Sequence, residues 1–320
     1  MLDFLKVTII LLIGNVVYLF IHTMLSHKNL HFDFKEWDLF ELLFLASVGC
    51  NLKCEFCCEQ WKEKNALEDV AINNVLSVWK ALWIKLIDIN WGEPLLVWAS
   101  SIKNMTNTFL ENWFDVSVSS NSLLLTDDLI AFFKDKLSIF NVSLHAYSND
   151  LNDRIMWMKW ITEIVKNNIW KLVSVWIPVH VTCVVINENI NEVSDLAKWC
   201  SDSWVATLCL NRVFWRWRWS DVLKERQPDS QDLDSLLAWI KNTISSNELH
   251  MYINYSHIGQ CVLLRPDGSL TWAPKDPRSS QDWLIPIWNA LDEDIVKKWN
   301  EYEYRLNHYK YCFDKFSLYR

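Results

Sequence analysis

Four cysteines crowd into the ten residues GCNLKCEFCC at positions 49–58. Three of them, Cys50, Cys54 and Cys57, have the spacing C-x3-C-x2-C and follow a predicted strand directly. Three thiolates on one short loop can bind three irons of a [4Fe–4S] cluster, whereas a fully ligated electron-transfer cluster normally has four cysteine ligands. The spacing therefore predicts an iron–sulfur site in which one iron stays open to a small molecule.

A four-thiolate zinc site is the alternative reading of these cysteines. Structural zinc usually joins two separated pairs of ligands, whereas Cys57 and Cys58 are adjacent and point apart in an extended chain. We therefore interpret Cys58 as a bystander thiol. Cys183 and Cys209 lie in apolar strand patterns and are predicted core residues.

Alternating strand and helix patterns follow the cysteine loop. The predicted strands are Leu42–Ser47, Ile84–Asn90, Asp115–Ser119, Ile139–Leu144, Ile177–Val185 and Val205–Leu210. The helical patterns between them are Leu67–Leu82, Ile102–Glu111, Thr126–Lys136, Leu151–Asn168 and Asn191–Cys200, and a later one is Gln231–Ile244. This order predicts an α/β fold, a partial (β/α)6 TIM-like barrel with right-handed crossovers. Loops at the carboxyl ends of such strands build the active site.

Three segments divide the chain. The barrel is predicted over residues 40–228, and a small α+β extension over 229–320. Residues 1–39 contain an apolar helix, whose uninterrupted run at 7–24 has the minimum length for a membrane span. The flanking lysines favour a cytoplasmic carboxyl-terminal side. A helix packed on the domain, or an upstream extension without function, are the alternatives to this anchor.

The overall charge and the cysteine usage narrow the setting of the protein. A net charge of -8 argues against a nucleic-acid-binding protein. No signal-peptide cleavage pattern precedes the cysteines, which favours a reducing, cytoplasmic compartment with metal-binding or catalytic thiols.

Glycine and tryptophan occur in abnormal numbers. The chain has 21 Trp and 5 Gly, whereas average usage predicts about 22 glycines at this length. Tryptophan stands where turns belong, as at Trp91 before Gly-Glu-Pro and Trp272 before Ala-Pro. Further examples at predicted helix ends or before strands are Trp157, Trp160, Trp170, Trp176 and Trp204. Our hypothesis is that many of these codons are UGA, read as glycine in the source lineage; a truly tryptophan-rich protein is the alternative.

The motifs together resemble the radical S-adenosylmethionine (SAM) superfamily. Besides C-x3-C-x2-C with Phe56 before the last cysteine, Asn90–Pro94 resembles its Gly-Gly-Glu-Pro turn, and Ser119–Ser122 resembles its Thr-Asn-Gly turn. Val142–His145 and Leu210–Trp219 resemble the ends of its fourth and sixth strands. Coverage runs from about residue 40 to 222. A real Trp91 would fill space that this family gives to SAM, and a glycine there restores the pattern.

The resemblance implies two cofactors and a set of binding residues. Cys50, Cys54 and Cys57 would hold a [4Fe–4S] cluster, and SAM would bind its open iron. The methionine of SAM would lie along Phe56, Trp91, Gly92 and Glu93. Ser143 would reach the ribose or the carboxylate, Ser120 or Asn121 would face the substrate, and Asn211 and Arg212 would lie near the adenosine.

The implied reaction is reductive cleavage of SAM to a 5′-deoxyadenosyl radical, which abstracts hydrogen from a peptide or a small metabolite. Such an oxidoreductase or transferase-type enzyme needs an external electron donor of the flavodoxin or ferredoxin type. The residues do not identify the substrate. A non-catalytic iron–sulfur protein and a zinc-binding, membrane-tethered module are the alternatives.

Three further features stay open between two readings. The carboxyl-terminal region, with Gly259-Gln-Cys261 and Trp288-Asn289, resembles a SPASM/twitch extension, but Ala273 stands where a ligand is usual and predicts that no auxiliary cluster binds. The segment Phe214–Trp219 is read as a glycine-rich loop over the cofactor, or literally as a basic stacking segment. His145 is either a structural histidine or a substrate contact.

Overall fold

The computed structural model describes part of the chain in detail. The described residues are 41–45, 49–54, 56–57, 76, 86–90, 92–212, 225–243, 250–254, 261–264, 269–272 and 285–289. All of them belong to one compact unit, Lys35–Arg320. The apolar run 7–24, Trp91 and Phe214–Trp219 lie outside these ranges. Within them, no helix has the length and apolar character that a membrane crossing needs.

One ten-stranded sheet organises the described residues. Its strands are β1 (Glu41–Leu45), β2 (Leu86–Asn90), β3 (Asp115–Ser120), β4 (Ile139–Ser143), β5 (Val179–Val185), β6 (Thr207–Arg212), β7 (His250–Asn254), β8 (Cys261–Leu264), β9 (Ser269–Trp272) and β10 (Ile285–Asn289). Their order is β10-β9-β8-β1-β2-β3-β4-β5-β6-β7. Neighbours from β8 through β1 to β7 pair parallel, and β9 pairs antiparallel with β8 and β10. The predicted α/β class and the six barrel strands are confirmed.

Helices cross over between the strands. The described ones are α1 (Ala99–Glu111), α2 (Asp127–Phe133), α3 (Asn149–Met156), α4 (Ile161–Ser174), α5 (Val193–Asp202) and α6 (Ser230–Thr243). Alternate strand residues such as Ile87, Val118 and Phe140 are fully buried in one core with helix residues such as Phe109 and Ile169. Because side chains alternate across a strand, each barrel strand presents one face to this core. Cys183 and Cys209 are buried as predicted.

The predicted helix Leu151–Asn168 is wrong, since two helices occupy that segment. Helix α3 ends at Met156, and Trp157 caps it with a left-handed backbone, φ 56°. Trp160 precedes α4 with φ 68°. The Asp153 carboxylate accepts hydrogen bonds from the N–H of Trp160 and, at 3.0 Å, from the N–H of Thr162, which fixes the new start. Helical periodicity continues across the break, so the sequence pattern conceals it.

Tryptophan occupies most of the left-handed positions. Seven described residues other than glycine have a positive φ, and five of these are Trp113, Trp157, Trp160, Trp176 and Trp204. Their side chains are 58–91% exposed, whereas tryptophan is normally well buried. A left-handed backbone is the conformation that glycine adopts without steric cost. Trp170 differs from the prediction, because it lies inside α4 and not at a helix end.

The carboxyl-terminal strands continue the barrel sheet at both edges. Strand β7 extends it beyond β6, and β8 extends it beyond β1. The predicted extension over 229–320 is therefore not a separate sheet, although its boundary and its SPASM/twitch character remain predictions.

Candidate functional site

The cysteine loop follows β1 in the chain, with Cys50 five residues after the last residue of that strand, Leu45. Cys50, Cys54 and Cys57 are half-buried thiols and not disulfide partners, and the Cys57 N–H donates to the Cys54 carbonyl at 3.1 Å, which closes a turn. The Leu52 N–H donates to the Cys50 sulfur at 3.4 Å. The three cysteines thus share one tight loop, as the spacing predicts.

Burial opposes ionisation of these thiols. It raises the pKa of Cys50 to about 11, partly offset by the hydrogen bond from Leu52 and reinforced by the nearby Glu93 and Cys57. Burial also raises the pKa of Cys54, and its cysteine neighbours Cys57 and Cys50 add to that effect. Thiolates at these positions would therefore repel one another. Such a trio needs compensating positive charge, which bound iron supplies.

A preformed single-ion site is not found in the described part of the chain, which leaves out Cys58. Among the residues that the structure describes, no three His, Cys, Asp or Glu side chains converge on one point as ligands of one ion must. A [4Fe–4S] cluster does not need its cysteine side chains to meet at one point, because each cysteine binds a different iron.

The Glu93 bend joins three loops. The Glu93 N–H donates to the Gly49 carbonyl at 2.8 Å, which ties the end of β2 to the cysteine loop. Its carboxylate accepts hydrogen bonds from the N–H of Leu95, the hydroxyl of Ser120 and the N–H of Asn121 at 3.0, 2.7 and 2.8 Å. Burial raises the pKa of this carboxyl group, and the three hydrogen bonds limit the rise.

The Glu93 carboxylate therefore serves to hold neighbouring loops together. Its side chain has no exposed surface, so any contact with a ligand in the bend must come from backbone groups of 92–93. Gly92 has φ 64°, a conformation that favours glycine. That Gly92 and Glu93 line the methionine of SAM remains a prediction, and the backbone would make the contact.

The turn after β3 forms hydrogen bonds with the cysteine loop. The Asn121 side-chain amide donates to the side-chain Oδ1 of Asn51 at 2.7 Å and to the Cys50 sulfur at 3.8 Å. Ser120 and Asn121 are only 4% and 7% exposed. Their polar groups are engaged within these loops, so both residues position the bend and the cysteine loop.

Phe56 sits between the cysteines and β4. Its ring meets the ring of His145 edge-on, with centroids 4.5 Å apart at 77°. His145 is 3% exposed, and its Nδ1 accepts a hydrogen bond from the Val184 N–H at 3.1 Å. Burial lowers the pKa of His145 to about 3. A neutral ring with its proton on Nε2 favours the structural reading of this histidine.

The remaining predicted residues end other strands of the sheet. Ser143 is the half-buried last residue of β4. Asn211, 6% exposed near the end of β6, accepts a hydrogen bond from the Cys209 thiol at 3.2 Å. Arg212 ends β6, and only its backbone is described. Carboxyl ends of parallel strands meet at one edge of a sheet, so Ser143, Asn211 and Arg212 lie at the same edge as the Glu93 bend. Their contacts with SAM remain a prediction.

A buried carboxylate network was missed by sequence reasoning. Asp88 in β2 is 2% exposed. It accepts hydrogen bonds from the hydroxyls of Ser117 and Ser119 at 2.7 and 2.8 Å, and from the amides of Asn90 and Asn141 at 2.7 and 3.4 Å. Burial raises the pKa of Asp88, and these donors oppose the rise. The available signal was polar residues at alternate positions of three strands, Asp-Ile-Asn, Ser-Val-Ser and Asn-Val-Ser.

Comparison with known proteins agrees with this site. The family model of the radical SAM superfamily matches residues 45–200, which include the cysteine loop and the Glu93 bend. Residues 45–200 are thus similar to the radical SAM superfamily, whose members use a [4Fe–4S] cluster and SAM. No curated protein sequence matches the chain.

Solved structures share the fold. SuiB of Streptococcus suis bound to SAM has a TM-score of 0.68 at 16% identity, covering 84% of this chain and 67% of that one. SuiB bound to its precursor peptide SuiA gives 0.68 at 15% identity, with 89% and 68% covered. The enzyme anSMEcpe with bound SAM gives 0.64 at 15% identity, with 84% and 79% covered. These likenesses establish the partial barrel.

Proposed function

We propose that this chain is a radical SAM enzyme in which Cys50, Cys54 and Cys57 hold the cluster and the Glu93 bend cradles the methionine of SAM. The observation that carries the proposal is the hydrogen bond from Glu93 to Gly49, because it joins the cysteine loop to the bend. When bound, the cluster and SAM supply a one-electron cleavage that starts hydrogen abstraction from the substrate. The transferase or oxidoreductase outcome and a flavodoxin or ferredoxin-type donor belong to this proposal.

An unpaired amide supports the fit of the cofactors. The Asn51 Nδ2 is buried without a hydrogen-bond partner among the described residues. A buried donor without a partner costs about 1–3 kcal/mol. Asn51 follows Cys50 directly, so a sulfur or a carboxylate of the cofactors could accept this hydrogen.

The chain's own residues then have distinct tasks. The Leu52 N–H and the Asn121 amide point to the Cys50 sulfur, and both would lower the cost of a thiolate there. The buried Glu93 carboxylate holds the turn after β3 against the Glu93 bend. Phe56 shields the cysteine loop from water on the His145 side. Ser143, Asn211 and Arg212 would then face the ribose and adenosine.

Glycine at residue 91 belongs to the same proposal. Trp91 precedes Gly92, whose φ is 64°, and the bend here approaches the cysteine loop within one hydrogen bond. A ligand seated on this backbone needs neighbours without side chains. Decoding UGA as glycine would leave that space open.

A peptide is the favoured substrate class. SuiB was solved with its precursor peptide SuiA and anSMEcpe with the Cp18Cys peptide, and both share this fold. A small metabolite remains the second possibility.

Iron content tests the cysteine assignment. After anaerobic reconstitution, we expect about four irons per chain and a brown absorbance, since only one cluster has ligands. Cys54→Ala should lose both, because a cluster with two cysteine ligands is not held stably. Cys58→Ala is the matched control and should keep both.

Two results would contradict this assignment. Equal iron loss in Cys54→Ala and Cys58→Ala would show that four thiolates hold the cluster and leave no iron open to SAM. About eight irons per chain would show that the carboxyl-terminal region binds an auxiliary cluster after all.

A further inference from the structure

The Asp88 network consists of Asp88, Asn90, Ser117, Ser119 and Asn141, and it lies on the sheet face opposite the helix-packed core. The residues between them, such as Ile89 and Val118, belong to that core. The inner faces of TIM-type barrels are usually filled by branched apolar side chains. Here the same face carries a buried carboxylate, which costs free energy unless it has partners. A polar network in this place indicates binding of a polar group.

The network uses its hydrogens internally. Both hydroxyls point to Asp88, and the Asn141 amide donates to Asp88 and, at 2.9 Å, to Ser119. Each Asp88 oxygen faces an amide N–H, which can only donate. This geometry favours the ionised carboxylate. Among the described residues, no donor to the Asn141 side-chain oxygen or to the second Ser119 lone pair is found, and both are hydrogen-bond acceptors.

The network adjoins the candidate cofactor site. Asn90 is the last residue of β2, two positions before Gly92. Ser119 precedes Ser120, whose hydroxyl donates to Glu93. Asn90, Ser119 and Asn141 are half-buried and not sealed in the core, so a molecule bound at the strand ends could reach them.

We propose that the Asp88 network binds a cationic, hydrogen-bond-donating group of the substrate, such as the ammonium of a lysine side chain. Asp88 supplies the charge from within, and Asn141 and Ser119 present the acceptors. This inference rests on the proposed function, because it places the substrate beside the SAM site. Asp88 acts as a positioning residue, and Asn141 is the contact.

Binding of three blocked pentapeptides tests the proposal. They are acetyl-Gly-Ala-Xaa-Ala-Gly-amide with lysine, norleucine or glutamine at the centre, titrated into the reconstituted full chain with SAM at low ionic strength. The lysine peptide should bind at least about tenfold more tightly than either other peptide, the effect of one well-placed charged hydrogen bond.

Variants identify the residues responsible. Asp88→Asn and Asn141→Leu should reduce the lysine preference to less than about twofold. Asp115→Asn, an exposed aspartate at the start of β3, is the matched control and should keep it. Urea unfolding of each variant shows that it is folded, and Asn141→Leu serves as the test if Asp88→Asn does not fold.

The outcomes separate this inference from the proposed function. Equal binding of the three peptides, no binding, or a lysine preference that survives in the folded variants would overturn the inference. A chain that holds its cluster and cleaves SAM without a lysine preference overturns only the inference. A chain with the preference and no cluster overturns only the proposed function.

Discussion

At the residue scale, buried polar side chains join the loops of the candidate site through hydrogen bonds. The Glu93 carboxylate, with no exposed surface, joins the loops after β2 and β3. The sequence could place Glu93 in the bend by its motif. It could not show that the carboxylate turns inward, because that depends on donors from residues 95, 120 and 121 that only the fold brings together.

His145 shows how a charge excluded by burial affects stability. Its pKa is lowered to about 3 in the folded chain, against about 6.5 when unfolded. Below pH 6.5 His145 becomes protonated in the unfolded chain but stays neutral in the native chain. The free energy of unfolding should therefore fall as pH drops, by up to about 1.4 kcal/mol per pH unit.

Urea unfolding between pH 7 and 5 measures this effect. The native chain should lose stability more steeply than His145→Gln. Equal slopes for the native chain and His145→Gln would contradict a neutral, buried His145.

At the scale of elements, the strands were predictable and the ends of helices were not. Alternating β-forming residues indicated all six barrel strands, because strand periodicity is local. The break between α3 and α4 escaped, because Trp157 and Trp160 do not read as helix-ending residues. With glycine at both positions, the sequence would signal that break.

Replacing these tryptophans by glycine should stabilise the protein that carries tryptophan at these positions. A left-handed backbone costs a residue with a Cβ about 1–2 kcal/mol. Trp157→Gly and Trp204→Gly should therefore each raise the free energy of unfolding by about 1 kcal/mol in urea titration. Trp170→Gly is the matched control, also an exposed tryptophan but inside α4, and should lower it, because glycine weakens a helix interior.

The coding DNA decides the same question without folding. UGA codons are expected at the five positive-φ tryptophans and at residue 91, with glycine in peptides recovered from the source cells. UGG at these positions would show that the tryptophans are real and that the site must work around Trp91.

At the scale of the whole molecule, one parallel sheet gathers the site from residues far apart in the chain. Cys50 follows β1 and Asn211 lies in β6, yet both belong to the same edge of the sheet. That edge was predictable, since parallel strands place their carboxyl ends together. The Asp88 network was not, because sequence alone does not say whether alternate polar residues face solvent or one another.

Cleavage of SAM tests the central claim most directly. The reconstituted chain with glycine at residue 91 would be incubated anaerobically with SAM and dithionite, and 5′-deoxyadenosine would be quantified. We expect product from this chain and none from its Cys50→Ala variant. A cluster-loaded chain that makes no 5′-deoxyadenosine, or a Cys50→Ala variant that still makes it, would contradict the assignment.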